Sequence, residues 1–246
     1  MLTIWAIIPL ISCLAHIGVL TVVLLYSRRQ VHNVFAFYIA VAAIWSFSSF
    51  ILHLNAFPQQ AILWHNILNI AMMWTLVAYY HFVRYFVKKT IGIGLYVGYI
   101  ILLAFIALSL LGYIVKSAYV VDGYLYHDMG NALYLMGAGS LFFIGTVLYL
   151  LVRKYRSSRD HADRNRTSYL ILGWSILVVL SYTNLVPVLA GFSLDHIGNL
   201  LNALLIAYAI LRYQLLDIRL IVRKALAYSS LTFFLTVIYF NVNKNT

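Results

Sequence analysis

The sequence predicts an all-α protein, a polytopic membrane bundle of seven transmembrane helices with a candidate eighth span near the C-terminus. Apolar residues make up 64% of the 246 residues and charged residues only 9%, which is too few to cover a soluble domain of this size. The apolar residues run in long unbroken blocks and not in narrow amphipathic stripes. Such blocks are typical of helices that face lipid.

Seven apolar blocks reach or approach the roughly 20 residues that a helix needs to cross a bilayer. They are Ile4–Tyr26, Val34–Leu54, Ile62–Val83, Ile91–Val115, Ala132–Val152, Tyr169–Ala190 and Ile197–Tyr213. The first block has no basic segment before it and is longer than the apolar part of a signal peptide, so we expect it to be retained. We divide the chain into a seven-helix domain (1–214), a connector (215–224) and a candidate eighth span (225–246), whose apolar block is Ala225–Val242.

The distribution of Lys and Arg predicts the orientation in the membrane. Fifteen of them lie in every second connection, and Lys116 is the single one in the intervening loops. Basic residues are enriched on the cytoplasmic side, so we expect an outside N-terminus in a multi-pass protein of the cell membrane. This topology and the anionic headgroups account for the net charge of +11, and nucleic acid is not a predicted partner. The fifteen are Arg28, Arg29, Arg84, Lys88, Lys89, Arg153, Lys154, Arg156, Arg159, Arg164, Arg166, Arg212, Arg219, Arg223 and Lys224.

One long loop, Lys116–Asn131, lies on the expected outer side. It contains Tyr119, Tyr124 and Tyr126. Tyrosines are enriched where membrane and water meet, so one interpretation is an interfacial loop. The alternative is a lid or contact surface over the bundle.

The segment after the seventh block, Ile210–Thr232, mixes apolar and basic side chains. Its leucines and isoleucines can lie on the membrane while its basic residues reach the inner headgroups. The pattern consists of Arg212-Tyr213, Leu215-Leu216-Asp217-Ile218, Arg223-Lys224, Ala227-Tyr228 and Leu231-Thr232. With seven preceding spans, this pattern resembles the end of the N-terminal seven-helix sensor region of bacterial sensor histidine kinases.

The resemblance implies the input module of a two-component system, which detects an external or membrane-borne signal and relays it through the connector. The relay residues it implies are Arg212, Tyr213, Leu215, Leu216, Asp217, Ile218, Arg223 and Lys224. The sequence contains no ATP-binding boxes, and His161 lacks the two-helix setting of a phosphoacceptor. We therefore expect no enzyme activity from this chain. The implied partners are the lipid bilayer, a cytoplasmic signalling kinase or a further C-terminal domain, and a second copy of the chain.

Polar residues gather in the expected outer half of several spans. Asp195, Asn199 and Asn202 are spaced i, i+4, i+7 and share one helix face. Polar groups in a membrane normally face the bundle interior, so these groups either join helices or line a pocket for a small-molecule or lipid ligand. The candidate pocket residues are His53, His65, Asn66, Asn69, Tyr182, Asn184, Asp195, Asn199 and Asn202.

Other chemistry finds little support in the sequence. The histidines show no HxxH or HExxH spacing, and His53 with His65 is the pair to consider for haem, so we predict neither metal nor cofactor. Cys13 is the single cysteine, which excludes an intramolecular disulfide. No GxSxG motif is present, and Asp160 and Asp163 are interpreted as solvated acids. The alternative function is a small transporter or another non-signalling membrane protein, which a continuous intramembrane charged pathway would indicate.

Overall fold

A computed structural model of the chain describes residues 4–26, 30–88, 92–121, 124–185 and 194–213. The helices of this part are α1 (Ile4–Tyr26), α2 (Gln30–Leu54), α3 (Ala61–Lys88), α4 (Ile93–Leu110), α5 (Leu133–Ser157), α6 (His161–Tyr182) and α7 (Leu194–Tyr213). Strands β1 (Val115–Val121) and β2 (Tyr124–Met129) lie between α4 and α5. The predicted connector and the eighth apolar block lie outside the described residues.

The predicted helical bundle is confirmed. Helices α1, α2, α3, α5, α6 and α7 pack each against the next, and α7 packs against α1, so six helices close a ring. Helix α4 packs against α3. Among the described residues, α1 to α5 are long and apolar enough to cross a membrane, whereas α6 begins with a charged turn.

Some helices begin or end at other residues than the predicted apolar blocks, because capping and solvated polar residues determine those helix ends. Helix α6 begins at His161 and not at Tyr169, because the Asp160 carboxylate caps it by accepting a hydrogen bond from the Ala162 N–H at 3.1 Å. The Asp163 carboxylate in the first turn also interacts favourably with the positive end of the helix dipole. Hydropathy marks only the part of a helix that lies in lipid.

The loop predicted at 116–131 is largely an antiparallel hairpin. Helix α4 ends at Leu110, short of the predicted Val115, where Gly112 adopts a φ of +78° and the Tyr113 N–H donates to the Leu108 carbonyl at 3.0 Å. Glycine adopts this left-handed conformation without strain, so the chain turns into β1 here. The strands pair in the register Tyr119↔Tyr126.

The hairpin docks on the bundle. The Asn55 side-chain amide donates to the Val120 carbonyl at 3.4 Å, and the His127 ring lies 5.0 Å from the His65 ring between centroids. Where β2 ends, a Cβ at Gly130 would clash with the Tyr113 carbonyl oxygen. Only glycine permits this approach, which holds the base of the hairpin against the end of α4.

The centre of the bundle is aromatic. The Tyr79 and Trp174 rings stack at 4.2 Å with an interplanar angle of 6°, and Tyr38 meets Tyr79 edge-on at 4.9 Å.

Helices α6 and α7 approach closely at Gly198, where an added Cβ would lie 3.1 Å from the Leu177 Cα. This backbone contact makes α6 and α7 a tightly packed pair.

We name the two ends of the bundle by what they carry. The hairpin end includes the hairpin, the end of α2 and the start of α7, whereas the basic end includes the junction between α5 and α6. There the Lys154 ammonium pairs with the Asp163 carboxylate at 2.6 Å. Burial alone would raise the Asp163 pKa, but hydrogen bonds from Lys154 and Ser158 outweigh burial and lower it.

Candidate functional site

The polar face of α7 is buried in the bundle. Asp195, Asn199 and Asn202 are all buried, and the two asparagines have no exposed surface. The i, i+4, i+7 spacing directs them to one side of the helix, toward α1 and α2. A buried polar face of this kind in a membrane helix requires partners from neighbouring helices.

Asn202 has such a partner. Its Nδ2 donates a hydrogen bond of 2.7 Å to the Tyr38 hydroxyl on α2. Gly173 on α6 makes room for the amide, since a Cβ there would lie 2.5 Å from Asn202 Oδ1. Asn202 therefore joins α7 to α2 beside the aromatic centre, to which Tyr38 belongs.

Helix α1 contributes a buried histidine to the same side of α7. His16 Nδ1 lies 2.6 Å from the Ser12 carbonyl oxygen, to which it donates, and the Ser46 hydroxyl of α2 donates to the Ser12 hydroxyl at 3.2 Å. Because Nδ1 carries the proton in this contact, Nε2 of the neutral ring is an acceptor. The Asn199 side chain approaches the His16 ring as a hydrogen-bonding neighbour without well-formed geometry, and the His196 ring interacts with His16 electrostatically.

Several polar atoms of this cluster lack hydrogen bonds. His16 Nε2, both amide atoms of Asn199, Asn202 Oδ1 and His196 Nδ1 are buried without a well-formed hydrogen bond to any residue that the structure describes. An unsatisfied buried polar group costs about 1–3 kcal/mol. The cluster therefore has unused hydrogen-bonding capacity between α1 and α7. We call His16, Asn199, Asn202 and His196 the α7 polar cluster.

His53 lies between two groups of histidines at the hairpin end. It interacts electrostatically with His65 on α3 and with His196 on α7, whose ring lies 5.2 Å from the Trp45 ring. His65 in turn faces His127 of the hairpin. Burial lowers the pKa of His127, and Asp128 offsets part of that effect.

The two predicted asparagines on α3 have hydrogen-bond partners. The Asn66 side-chain oxygen accepts a hydrogen bond of 2.9 Å from the Ser109 hydroxyl on α4. Asn69 Nδ2 donates within its own helix to the His65 carbonyl at 2.9 Å. Asn66 therefore favours the helix-joining interpretation, whereas Asn69 is satisfied within α3.

Two further predicted residues lie at or just after the end of α6. The Tyr182 hydroxyl lies 3.2 Å from the Ser140 hydroxyl of α5, and Asn184 is exposed. The nine predicted residues are thus distributed over α2, α3, α7 and the end of α6, and a single pocket lined by all of them stays a prediction.

Part of the cluster was not predicted from the sequence. His16, Ser12, Ser46 and Tyr38 are absent from the predicted pocket residues. The signal was available in part, because Ser12 and His16 are spaced i, i+4 in an apolar block and so share a face. Within the described ranges, no three His, Cys, Asp or Glu side chains form a group that could hold a metal ion.

Fold and site together define a polytopic helical membrane protein with a polar cluster in its interior and a basic face at one end. The family described as the N-terminal 7TM region of histidine kinase matches residues 8–219. The chain belongs to that family, as the segment around Arg212 to Asp217 suggested. The match covers the sensor region. No curated protein and no solved structure matches the chain.

Proposed function

We propose that the chain is a membrane sensor input module in which the α7 polar cluster binds a small, uncharged polar ligand and α7 relays binding to a cytoplasmic kinase. The observation that carries this proposal is the Asn199 amide, which is buried between helices, neighbours the His16 ring and has no well-formed hydrogen bond to a described residue. Family membership supports the sensor role in general. The ligand and the relay are the finer part of the proposal.

The ligand class follows from the chemistry of the cluster. An amide offers one acceptor and two donor hydrogens, and His16 Nε2 offers an acceptor. The ionisable groups that interact electrostatically with His16 and His196 are other histidines and Asp195. Because the cluster is buried, a fully charged ligand would have a large desolvation cost there. An alcohol or amide group satisfies these atoms without introducing charge.

The relay follows from unequal packing on the two sides of α7. Backbone contact at Gly198 joins it closely to α6, whereas its contacts with α1 and α2 run through polar groups that are only partly paired. A ligand that pairs with Asn199 would draw the α6–α7 pair toward α1. Because α7 leads into the predicted connector at 215–224, this displacement reaches the cytoplasmic side in the orientation expected from the basic residues.

The experiment uses the chain fused after Lys224 to a histidine kinase core and reconstituted in liposomes. Autophosphorylation is measured while uncharged alcohols and amides are added one at a time. We expect at least one of them to change the phosphorylation rate of the wild-type fusion. Asn199→Leu should abolish that change.

The matched control is Asn184→Leu, the same substitution at an exposed position outside the cluster. It should keep the wild-type response. A fusion that responds to none of the solutes, or an Asn199→Leu variant that responds like the wild type, would overturn the proposed ligand site.

A further inference from the structure

Five histidines form a chain from the hairpin into the bundle. They lie on five different elements, and each interacts electrostatically with the next. In order from the hairpin inward, they are His127 on β2, His65 on α3, His53 on α2, His196 on α7 and His16 on α1. The His127 and His65 rings are 5.0 Å apart between centroids. We call these five residues the histidine chain.

His53, in the middle of the histidine chain, is placed to carry a positive charge. It lies in the last turn of α2, where the negative end of the helix dipole stabilises a cation. Its side chain is half-buried, whereas His65 and His196 on either side are buried. A histidine gains its charge between about pH 5 and pH 8. Of these three residues, His53 is therefore the one that can be protonated at the smallest desolvation cost.

The two neighbours of His53 each have a ring nitrogen with unused hydrogen-bonding capacity. The Nδ1 atoms of His65 and His196 are buried and have no well-formed hydrogen bond to any residue that the structure describes. In the tautomer with hydrogen on Nε2, each Nδ1 is an acceptor. A neutral imidazole has one N–H donor, whereas a protonated one has two. With one added proton, His53 has a donor for each of the two acceptors.

The surrounding charges favour a single proton at this place. A positive charge on His53 opposes protonation of His65 and of His196, so both rings stay neutral and remain acceptors. The carboxylate that follows the same chain on α7 interacts favourably with a positive charge there. The described titratable groups that face this histidine pair from β2, α7 and α1 are His127 with Asp128, Asp195, and His16.

We propose that His53 is a proton-binding site through which the protein senses pH at the hairpin end. On protonation, its two N–H groups donate to His65 Nδ1 and to His196 Nδ1, so that one residue of α2 joins α3 and α7. Acid therefore holds the start of α7 against α2 and α3, whereas the neutral residue can join only one of them. This response to protons does not depend on a ligand of the α7 polar cluster.

Nitrogen NMR of the full chain with ¹⁵N-labelled histidine reports the charge of each ring, because charged and neutral imidazoles have different resonances. The chain is titrated in detergent micelles from about pH 8 to pH 5, and single His→Gln variants assign the signals. We expect the His53 ring to become charged while His65 and His196 stay neutral and their Nδ1 resonances shift at the same pH. The proposal fails if His53 stays neutral throughout or if either neighbour becomes charged before it.

Stability shows whether the bound proton joins the helices. A proton that the folded chain binds about ten times more tightly than the unfolded chain adds stability that is fully present below about pH 6.5 and is lost as the pH rises above it. The unfolding equilibrium constant of His53→Gln, divided by that of the wild type, should therefore rise about tenfold between about pH 8.5 and pH 5.5. Titration with SDS measures both constants.

Two further variants separate the site from histidine titration in general. His161→Gln is the matched control, because this exposed histidine lies at the basic end, outside the histidine chain. It should keep the pH dependence of the wild type, whereas H65F/H196F lacks both acceptors and should lose it as His53→Gln does. A ratio for His53→Gln that does not change with pH, an equal change in His161→Gln, or a wild-type pH dependence in H65F/H196F would refute the proposal.

Discussion

Asn199 and Asn202 lie one helical turn apart on α7, yet leucine at these two positions should have opposite effects on stability. Asn202 donates a 2.7 Å hydrogen bond to Tyr38, whereas neither amide atom of Asn199 has a well-formed bond within the described ranges. Asn202→Leu deletes a helix-joining bond and leaves a buried hydroxyl unpaired. Asn199→Leu removes an amide whose contact with the His16 ring is not a well-formed hydrogen bond.

The magnitudes follow from the environment. Hydrogen bonds between membrane helices contribute about 0.6 kcal/mol on average and up to about 1.7 kcal/mol, so Asn202→Leu should lower the free energy of unfolding by that amount. Asn199→Leu should leave it unchanged or raise it by up to about 1 kcal/mol, since replacing an unsatisfied polar group by an apolar one removes a desolvation cost. In the α7 polar cluster, we therefore expect the Asn202 amide to stabilise the fold and the Asn199 amide not to do so.

Reversible unfolding in mixed micelles with increasing SDS measures both free energies on the full chain. A double-mutant cycle with Tyr38→Phe should show coupling of about 0.6–1.7 kcal/mol with Asn202→Leu and none with Asn199→Leu. If Asn199→Leu destabilises the chain as much as Asn202→Leu does, then Asn199 has a structural partner and the reasoning fails.

Three further predictions concern the hairpin and the α6–α7 contact. The folded pKa of His127 lies below its ordinary 6.5, so the docked hairpin binds a proton less readily than the undocked one, and docking should weaken as pH falls below 6.5. Hydrogen exchange of the strand amides, corrected for intrinsic rates, should rise there in the wild type and stay flat in His127→Gln, whose side chain remains uncharged at every pH. Gly130→Ala introduces a Cβ against a backbone carbonyl and should raise exchange in the hairpin at every pH; normal protection would contradict the close approach. Gly173→Ala should displace the Asn202 amide and cost about 1–3 kcal/mol through overpacking, measured by the same SDS titration, and an unchanged stability would show that α6 and α7 can separate freely.

The hydropathy pattern predicted the helices correctly because each membrane span must satisfy its own backbone hydrogen bonds, which only a helix does within one segment. The block Ile4–Tyr26 coincides with α1, and the block Val34–Leu54 ends with α2 at Leu54, whereas α2 begins earlier, at Gln30. The hydropathy pattern did not predict the start of α6, because the first turns of this helix are polar and Asp160 caps it at a point outside the apolar block. The hairpin also had a local signal, the Asp122-Gly123 pair between two tyrosine-rich segments, which is typical of a two-residue hairpin connection.

The sequence by itself determined that this chain is a helical membrane bundle, which family it resembles, and that Asp195, Asn199 and Asn202 share a face. These properties depend on composition and on helical periodicity, which act within one segment. Only the tertiary structure decided which neighbours that face meets. His16 and Tyr38 come from other helices, and the choice of Asn202 over Asn199 as the bonded amide depends on helix packing distances that no single segment encodes.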